Sequence, residues 1–162
     1  PPRSTLFPYT TLFRSSTISG GSNNRSTGTY ASIGGGKDHL SGANYATVSG
    51  GSFNTVTGAY ATVGGGANNQ VSGEHAAVSG GKENYAAGAY GAVAGGNLNF
   101  ADADYAAVGG GKSNSATEEY ATVSGGLNNV ASGQRATVGG GNQNDASGNG
   151  AVISGGDQKS VV

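Results

Sequence analysis

The chain has no cysteine, no methionine and no tryptophan. Without cysteine, disulfides, thiolate metal sites and thiol chemistry are excluded together. Charge is scarce. Eight basic and nine acidic residues leave a formal net charge of −1 over 162 residues, which gives no electrostatic footprint for nucleic acid. No apolar run approaches the ~20 residues of a membrane-spanning helix, so this segment is expected to make no membrane contact. Proline occurs three times, and only within the first fifteen residues. What the chain has instead is glycine, 33 of them, far above ordinary usage.

A glycine-rich, weakly charged composition suits a disordered linker. The spacing excludes that reading. Val48 to Thr62 reads VSGGSFNTVTGAYAT, the next fifteen residues read VGGGANNQVSGEHAA, and the preceding fifteen read IGGGKDHLSGANYAT. A fixed period decides the architecture before any local reading does. From Ile18 onward the period is fifteen, without insertion or deletion. Slot one of each repeat is β-branched in every copy: Ile18, Ile33, Val48, Val63, Val78, Val93, Val108, Val123, Val138 and Ile153. Slots three and four are always Gly-Gly. Slot seven is Asn24, Asn54, Asn69, Asn84, Asn99, Asn114, Asn129 and Asn144, with His39 and Lys159 as the exceptions.

Two half-motifs alternate with period two, the pattern of short strands with one buried face. Slots fourteen, one and three read Ala-x-Val-x-Gly, as in Ala61–Gly65. Slots seven, nine and eleven read Asn-x-small-x-Gly, as in Asn69–Gly73. Glycine after each strand suits a positive-φ corner. Each repeat is therefore expected to form one coil of strand, corner, strand, corner. Some ten coils stacked at ~4.8 Å make an all-β parallel solenoid, a β-roll. Stacking sets every slot above itself. The slot-one residues then form an apolar ladder, and the Asn side chains an amide ladder in which each donates to the next. Slot thirteen adds Tyr30, Tyr45, Tyr60, Tyr90, Tyr105 and Tyr120, interrupted by His75, Arg135 and Gly150. A single thin roll would expose this stripe, so it is expected to pack at a corner or against neighbouring copies in a parallel homotrimer.

Residues 1–15, PPRSTLFPYTTLFRS, break the pattern with every proline and no glycine. The stretch Thr5–Ser15 resembles the translation of a sequencing adapter, so residues 1–15 are expected to be non-native and are set aside. Arg3 and Arg14 are its only charges, which leaves six basic against nine acidic residues, a net −3, in 16–162. The repeat stops mid-copy at Val162. The repeat domain, residues 16–162, is accordingly expected to be truncated, with both natural ends outside this sequence.

The doubled small-x-apolar-x-Gly half-motif resembles the head repeats of trimeric autotransporter adhesins, the YadA-like left-handed parallel β-roll. The resemblance covers residues 16–162 and carries over only to the half-motif positions just named. It implies a left-handed, homotrimeric head module on a bacterial surface, outer-membrane-anchored or secreted. It further implies binding to extracellular matrix or other cells, without cofactor or catalysis. Departures are the period of fifteen rather than the family's usual fourteen, the invariant Gly-Gly and the tyrosine column. Repeats of this kind also resemble shafts of phage tail-fibre-like or secreted fibre proteins that end in an intramolecular chaperone. A third reading is an ice-binding roll, since Asn54–Gly58 and Asn69–Gly73 match an Asn-x-Val-x-Gly half-coil. Ice binding needs regular ranks of outward Thr, and slot fifteen breaks at Ala77, Ala92 and Ala107.

Other constellations favour plain structural readings. Val63-Gly64-Gly65-Gly66 is no phosphate loop, because no Gly-Lys-Ser/Thr follows it. Calcium-binding nonapeptide repeats have a shorter period and an Asp in each turn. His39 and His75 lack spaced partners for a metal site or a triad. Lys37, Lys82 and Lys112 share slot five and read as solubilising charges. One acidic corner remains, Asp102 and Asp104 in one coil and Glu118 and Glu119 in the next. Asp104 and Glu119 would stack ~4.8 Å apart, where a hard cation with oxygen ligands would relieve their repulsion.

Overall fold

A computed structural model of the chain describes residues 15–162. The adapter-like segment lies outside the described residues, apart from Ser15. The described residues are all-β and helix-free, and they form a parallel β-solenoid of about ten fifteen-residue turns. Each turn carries two strands of two residues. One fills slots fifteen and one, from Thr17–Ile18 to Val152–Ile153. The other fills slots eight and nine, from Arg25–Ser26 to Ser160–Val161. Each strand pairs in register with its equivalent fifteen residues on, Thr47 with Thr62 and Val56 with Val71 for example. The result is two ten-stranded parallel sheets. Backbone N–H groups donate forward to the next turn, from Thr47 N to Ala61 O at 2.9 Å and from Thr57 N to Val71 O at 2.8 Å.

The coil is not simply two strands and two corners. A third line of parallel pairing runs along slot five, Ser22–Lys37–Ser52–Ala67 and onward to Asp157, one residue per turn. It arises because slots four and six, on either side, both take positive φ, as in Gly51 (93°) and Phe53 (55°). Between two such kinks only one residue is extended enough to bond to its neighbours.

Four side chains per turn point inward. In one turn they are Val48, Asn54, Val56 and Ala61, all 0% exposed. Slots one, nine and fourteen make the apolar core, and the small groups there, Ser, Ala or Val at slot nine and Ala or Gly at slot fourteen, keep the roll thin. Slot seven makes a polar spine through that core. Its bonding differs from the expected amide-to-amide ladder. Asn69 Nδ2 donates to Gly65 O in its own turn at 2.9 Å and to Gly81 O in the next at 3.0 Å. Its Oδ1 accepts from the backbone N–H of Asn84 at 3.0 Å. Among the described residues, direct amide-to-amide bonds accompany this pattern only at Asn114 to Asn99 and Asn144 to Asn129. The amide thus satisfies main-chain groups that a sharp glycine corner leaves unpaired, as buried backbone requires.

This bonding explains the glycine of slot four. Gly51 has φ of 93°, and a Cβ there would lie 2.1 Å from Gly66 O. Slot eleven obeys a different constraint from the one expected. None of its glycines lies in the left-handed region. Glycine serves close approach instead, since a Cβ on Gly58 would lie 2.0 Å from Gly73 O. The left-handed residue of that corner is the tyrosine of slot thirteen.

Candidate functional site

Tyr60 adopts φ of 58°, and Tyr30, Tyr45, Tyr90, Tyr105 and Tyr120 lie within a degree of it. A left-handed conformation costs a bulky L-residue about 1–2 kcal/mol. The main chain uses the kink to reverse one N–H, so that Tyr60 N donates back to Asn44 O at 3.0 Å while the strand groups donate forward. Arg135 (61°) and Gly150 (71°) make the same corner without a phenol. The corner therefore does not require tyrosine. What the tyrosines add is a column of rings. Consecutive centroids from Tyr30 through His75 to Tyr120 lie 4.7–5.2 Å apart, with planes within 20° of parallel. Stacked rings at such spacing gain about 0.5–1.5 kcal/mol per pair, which offsets much of the backbone cost.

The column is open to solvent. Its tyrosines are 45–53% exposed, so each shows an edge and its hydroxyl outward. His75 continues the column between Tyr60 and Tyr90 at 4.8 and 5.0 Å and lies 3.6 Å from the Glu74 carboxylate. The Tyr105 phenol titrates above the usual range. Local desolvation is the main cause, reinforced by the Tyr120 and Tyr90 phenols and by the Asp104 and Glu119 carboxylates.

The acidic corner is laid out differently from a cation site. Asp104 Oδ1 accepts from the backbone N–H of Ala89 at 2.8 Å, as Asn44 Oδ1 does from Thr29 at 3.0 Å. Glu119 Oε2 accepts from Gln134 Nε2 at 2.9 Å. Among the described residues no three His, Asp or Glu side chains converge as a metal-binding group. Asp102 lies on the exposed flank, its carboxyl raised above the ordinary range by partial desolvation. Asp102, Asp104, Glu118 and Glu119 therefore do not form a common centre.

His39 fills the slot-seven spine, as its sequence position suggests, but at 2% exposure it is buried there and not a surface residue as the Asp38-His39 pair suggests. Lys159, in the last turn, replaces the Asn amide with its ammonium, which donates to Gly155 O at 2.7 Å. In slot fifteen, Ser32 and Thr47 hydroxyls lie 3.2 Å apart on a half-buried flank. Ala77, Ala92 and Ala107 interrupt that rank in three consecutive strands.

A second surface escaped the sequence reading. Slots six and eight flank the inward Asn and so both face out. Along them lie Leu40, Phe53, Tyr85, Leu98, Phe100 and Val130. In the middle turns they border a shallow concavity of about 370 Å³, lined by Asn68, Gln70, Glu83, Asn84, Tyr85, Leu98 and Phe100. Its signal in the sequence was the bulk of slot eight, which no core position of so thin a roll would accommodate. No protein-family model matches the chain, and no curated protein matches it in sequence.

Proposed function

We propose that the chain is a non-enzymatic display module of a bacterial surface adhesin, a head that attaches its bearer to host matrix or to other cells. The observation that carries this reading is the exposed aromatic column on a rigid, repetitive β-solenoid. Six tyrosines hold a costly backbone conformation that other residues adopt in the same slot, and they spend it on a solvent-facing surface. Aromatic side chains with a polar tip are the side chains that interfaces favour. The half-motif resemblance to trimeric autotransporter heads supports three parallel copies meeting along this column. The rest of each coil is then left to face ligands.

A related reading is the shaft of a phage tail-fibre-like or secreted fibre protein. The unbroken register through all ten turns favours it, because a shaft requires length and stiffness before it requires a site. Attachment separates the two. Purified chain, and a Tyr60→Asn/Tyr90→Asn/Tyr105→Asn variant, would be applied to immobilised matrix proteins and to cultured cells. The adhesin reading expects saturable attachment by the parent chain. Absence of attachment to every surface would contradict it and leave the shaft. Thermal hysteresis by the purified roll would instead favour an ice-binding surface.

A further inference from the structure

We propose that the face made by slots six and eight across residues 68–100 binds a short neutral oligosaccharide. Tyr85 and Phe100 form its stacking platform, and Asn68, Gln70 and Glu83 engage its hydroxyls. This inference does not rest on the tyrosine column, which lies on another corner of the coil.

The platform follows from register. Tyr85 and Phe100 are direct partners in adjacent strands, so their side chains project side by side on one face, ~4.8 Å apart along the axis. Tyr85 is held in place. Its hydroxyl lies 3.1 Å from Ser72 Oγ, in the preceding turn and two slots further along the strand. The ring therefore leans along the sheet rather than standing free of it. Leu98 extends the apolar floor beside Phe100. The electron-rich faces of such rings suit the C–H-bearing face of a pyranose, whose hydrogens carry partial positive charge.

The polar groups are free to complete the match. The amides of Asn68 and Gln70 make no hydrogen bond among the described residues, and both side chains border the same concavity. Each offers a donor and an acceptor, the pairing that vicinal hydroxyls use. Glu83 adds an acceptor, and its charge is balanced by Lys82 Nζ at 3.1 Å. A neutral ligand fits this balance better than an anion would.

Other occupants fit less well. A peptide strand cannot add here, because the backbone is already bonded between turns. Tyr85 N donates to Asn99 O, Phe100 N to Asn114 O and Leu98 N to Lys82 O. Strand addition needs an unpaired edge. A purely apolar group would cover the Asn68 and Gln70 amides without replacing their hydrogen bonds to water. The volume, about 370 Å³, lies in the range of small-ligand sites.

The test titrates the whole chain with maltotriose, cellotriose and N,N′,N″-triacetylchitotriose, read by saturation-transfer NMR and calorimetry. The proposal expects at least one trisaccharide to bind, with saturation reaching the Tyr85 and Phe100 ring protons. Tyr85→Thr and Phe100→Ser are each expected to weaken that binding roughly tenfold, about 1.4 kcal/mol. Gln70→Ala should weaken it less, and Thr122→Ala, which copies Ala107 at the same strand position of the preceding turn, should leave it unchanged. The slot-eight variants copy Thr55 and Ser115, which occupy the same strand position in other turns, so the roll accommodates them. An unchanged circular dichroism spectrum checks that they fold. Failure of all three sugars to bind at about millimolar concentration would overturn the proposal. So would binding insensitive to both slot-eight variants. Concentration-dependent self-association abolished by Phe100→Ser would assign the face to a second copy of the chain instead.

Discussion

His39 Nδ1 accepts the backbone N–H of Asn54 at 3.1 Å, in the place where an asparagine Oδ1 stands in the next turns. The imidazole reproduces that half of the slot-seven bonding and fails the other. Its Nε2 is buried and has no hydrogen-bond partner among the described residues, whereas an asparagine Nδ2 there would reach two glycine carbonyls. Restoring the spine with His39→Asn is expected to raise stability by about 1–2 kcal/mol. Chemical denaturation of the two proteins measures it; a loss of stability would show that ring volume matters more than the missing bond.

The spine also sets what its removal does. The buried Asn99 amide closes two glycine carbonyls at the part-buried corner and one N–H within the core. Asn99→Ala leaves these groups without partners, at about 1–3 kcal/mol each when buried. A loss of about 3–5 kcal/mol is expected, against a much smaller one for Asn24→Ala in the exposed first turn. Equal effects at the two positions, read by the same denaturation, would mean that water replaces the amide as well inside as out.

Adjacent glycines should respond oppositely to alanine. At Gly51 both the left-handed φ and the 2.1 Å approach to Gly66 O exclude a Cβ. Gly50 has open space around a Cβ and no left-handed φ. Gly51→Ala is expected to cost at least ~3 kcal/mol, and Gly50→Ala less than ~1 kcal/mol. Thermal melting distinguishes them.

Alkaline pH tests the aromatic column. Because the Tyr105 phenol is raised in the folded chain, the folded state holds its proton after the unfolded state has released it. Its contribution is complete below the unfolded phenol value of ~10 and is lost as pH rises through the higher folded value. The melting temperature should therefore fall from about pH 10 upward, and less steeply in Tyr105→Asn. Tyrosinate absorbance should show one phenol in the parent lagging the others. Simultaneous ionisation of all the tyrosines would contradict the stacked, carboxylate-flanked environment of Tyr105.

The sequence disclosed the features in which one slot keeps one chemistry. Val48 above Val63 and Asn54 above Asn69 could be read directly, and they gave the period, the parallel stacking and the inward columns. The third pairing line was hidden, because Lys37, Ala67 and Leu127 share no chemistry and only the backbone at slot five is constant. The partners of the Asn amides were hidden too. Side-chain spacing places one amide above another, but the unmet glycine carbonyls of the corner lie nearer. Tyrosine is a poor guide to left-handed backbone, so the sequence alone points to the glycine of slot eleven for that corner. The Tyr85–Phe100 face went unread because slot eight changes residue at nearly every turn.

The claim that the tyrosine column is a contact surface is tested most directly by mass in solution. Light scattering on residues 16–162 should give three chain masses. The Tyr60→Asn/Tyr90→Asn/Tyr105→Asn variant should give a lower mass with its β spectrum retained. A folded monomer of the parent chain, stable across concentration, would contradict the account and leave the column facing solvent.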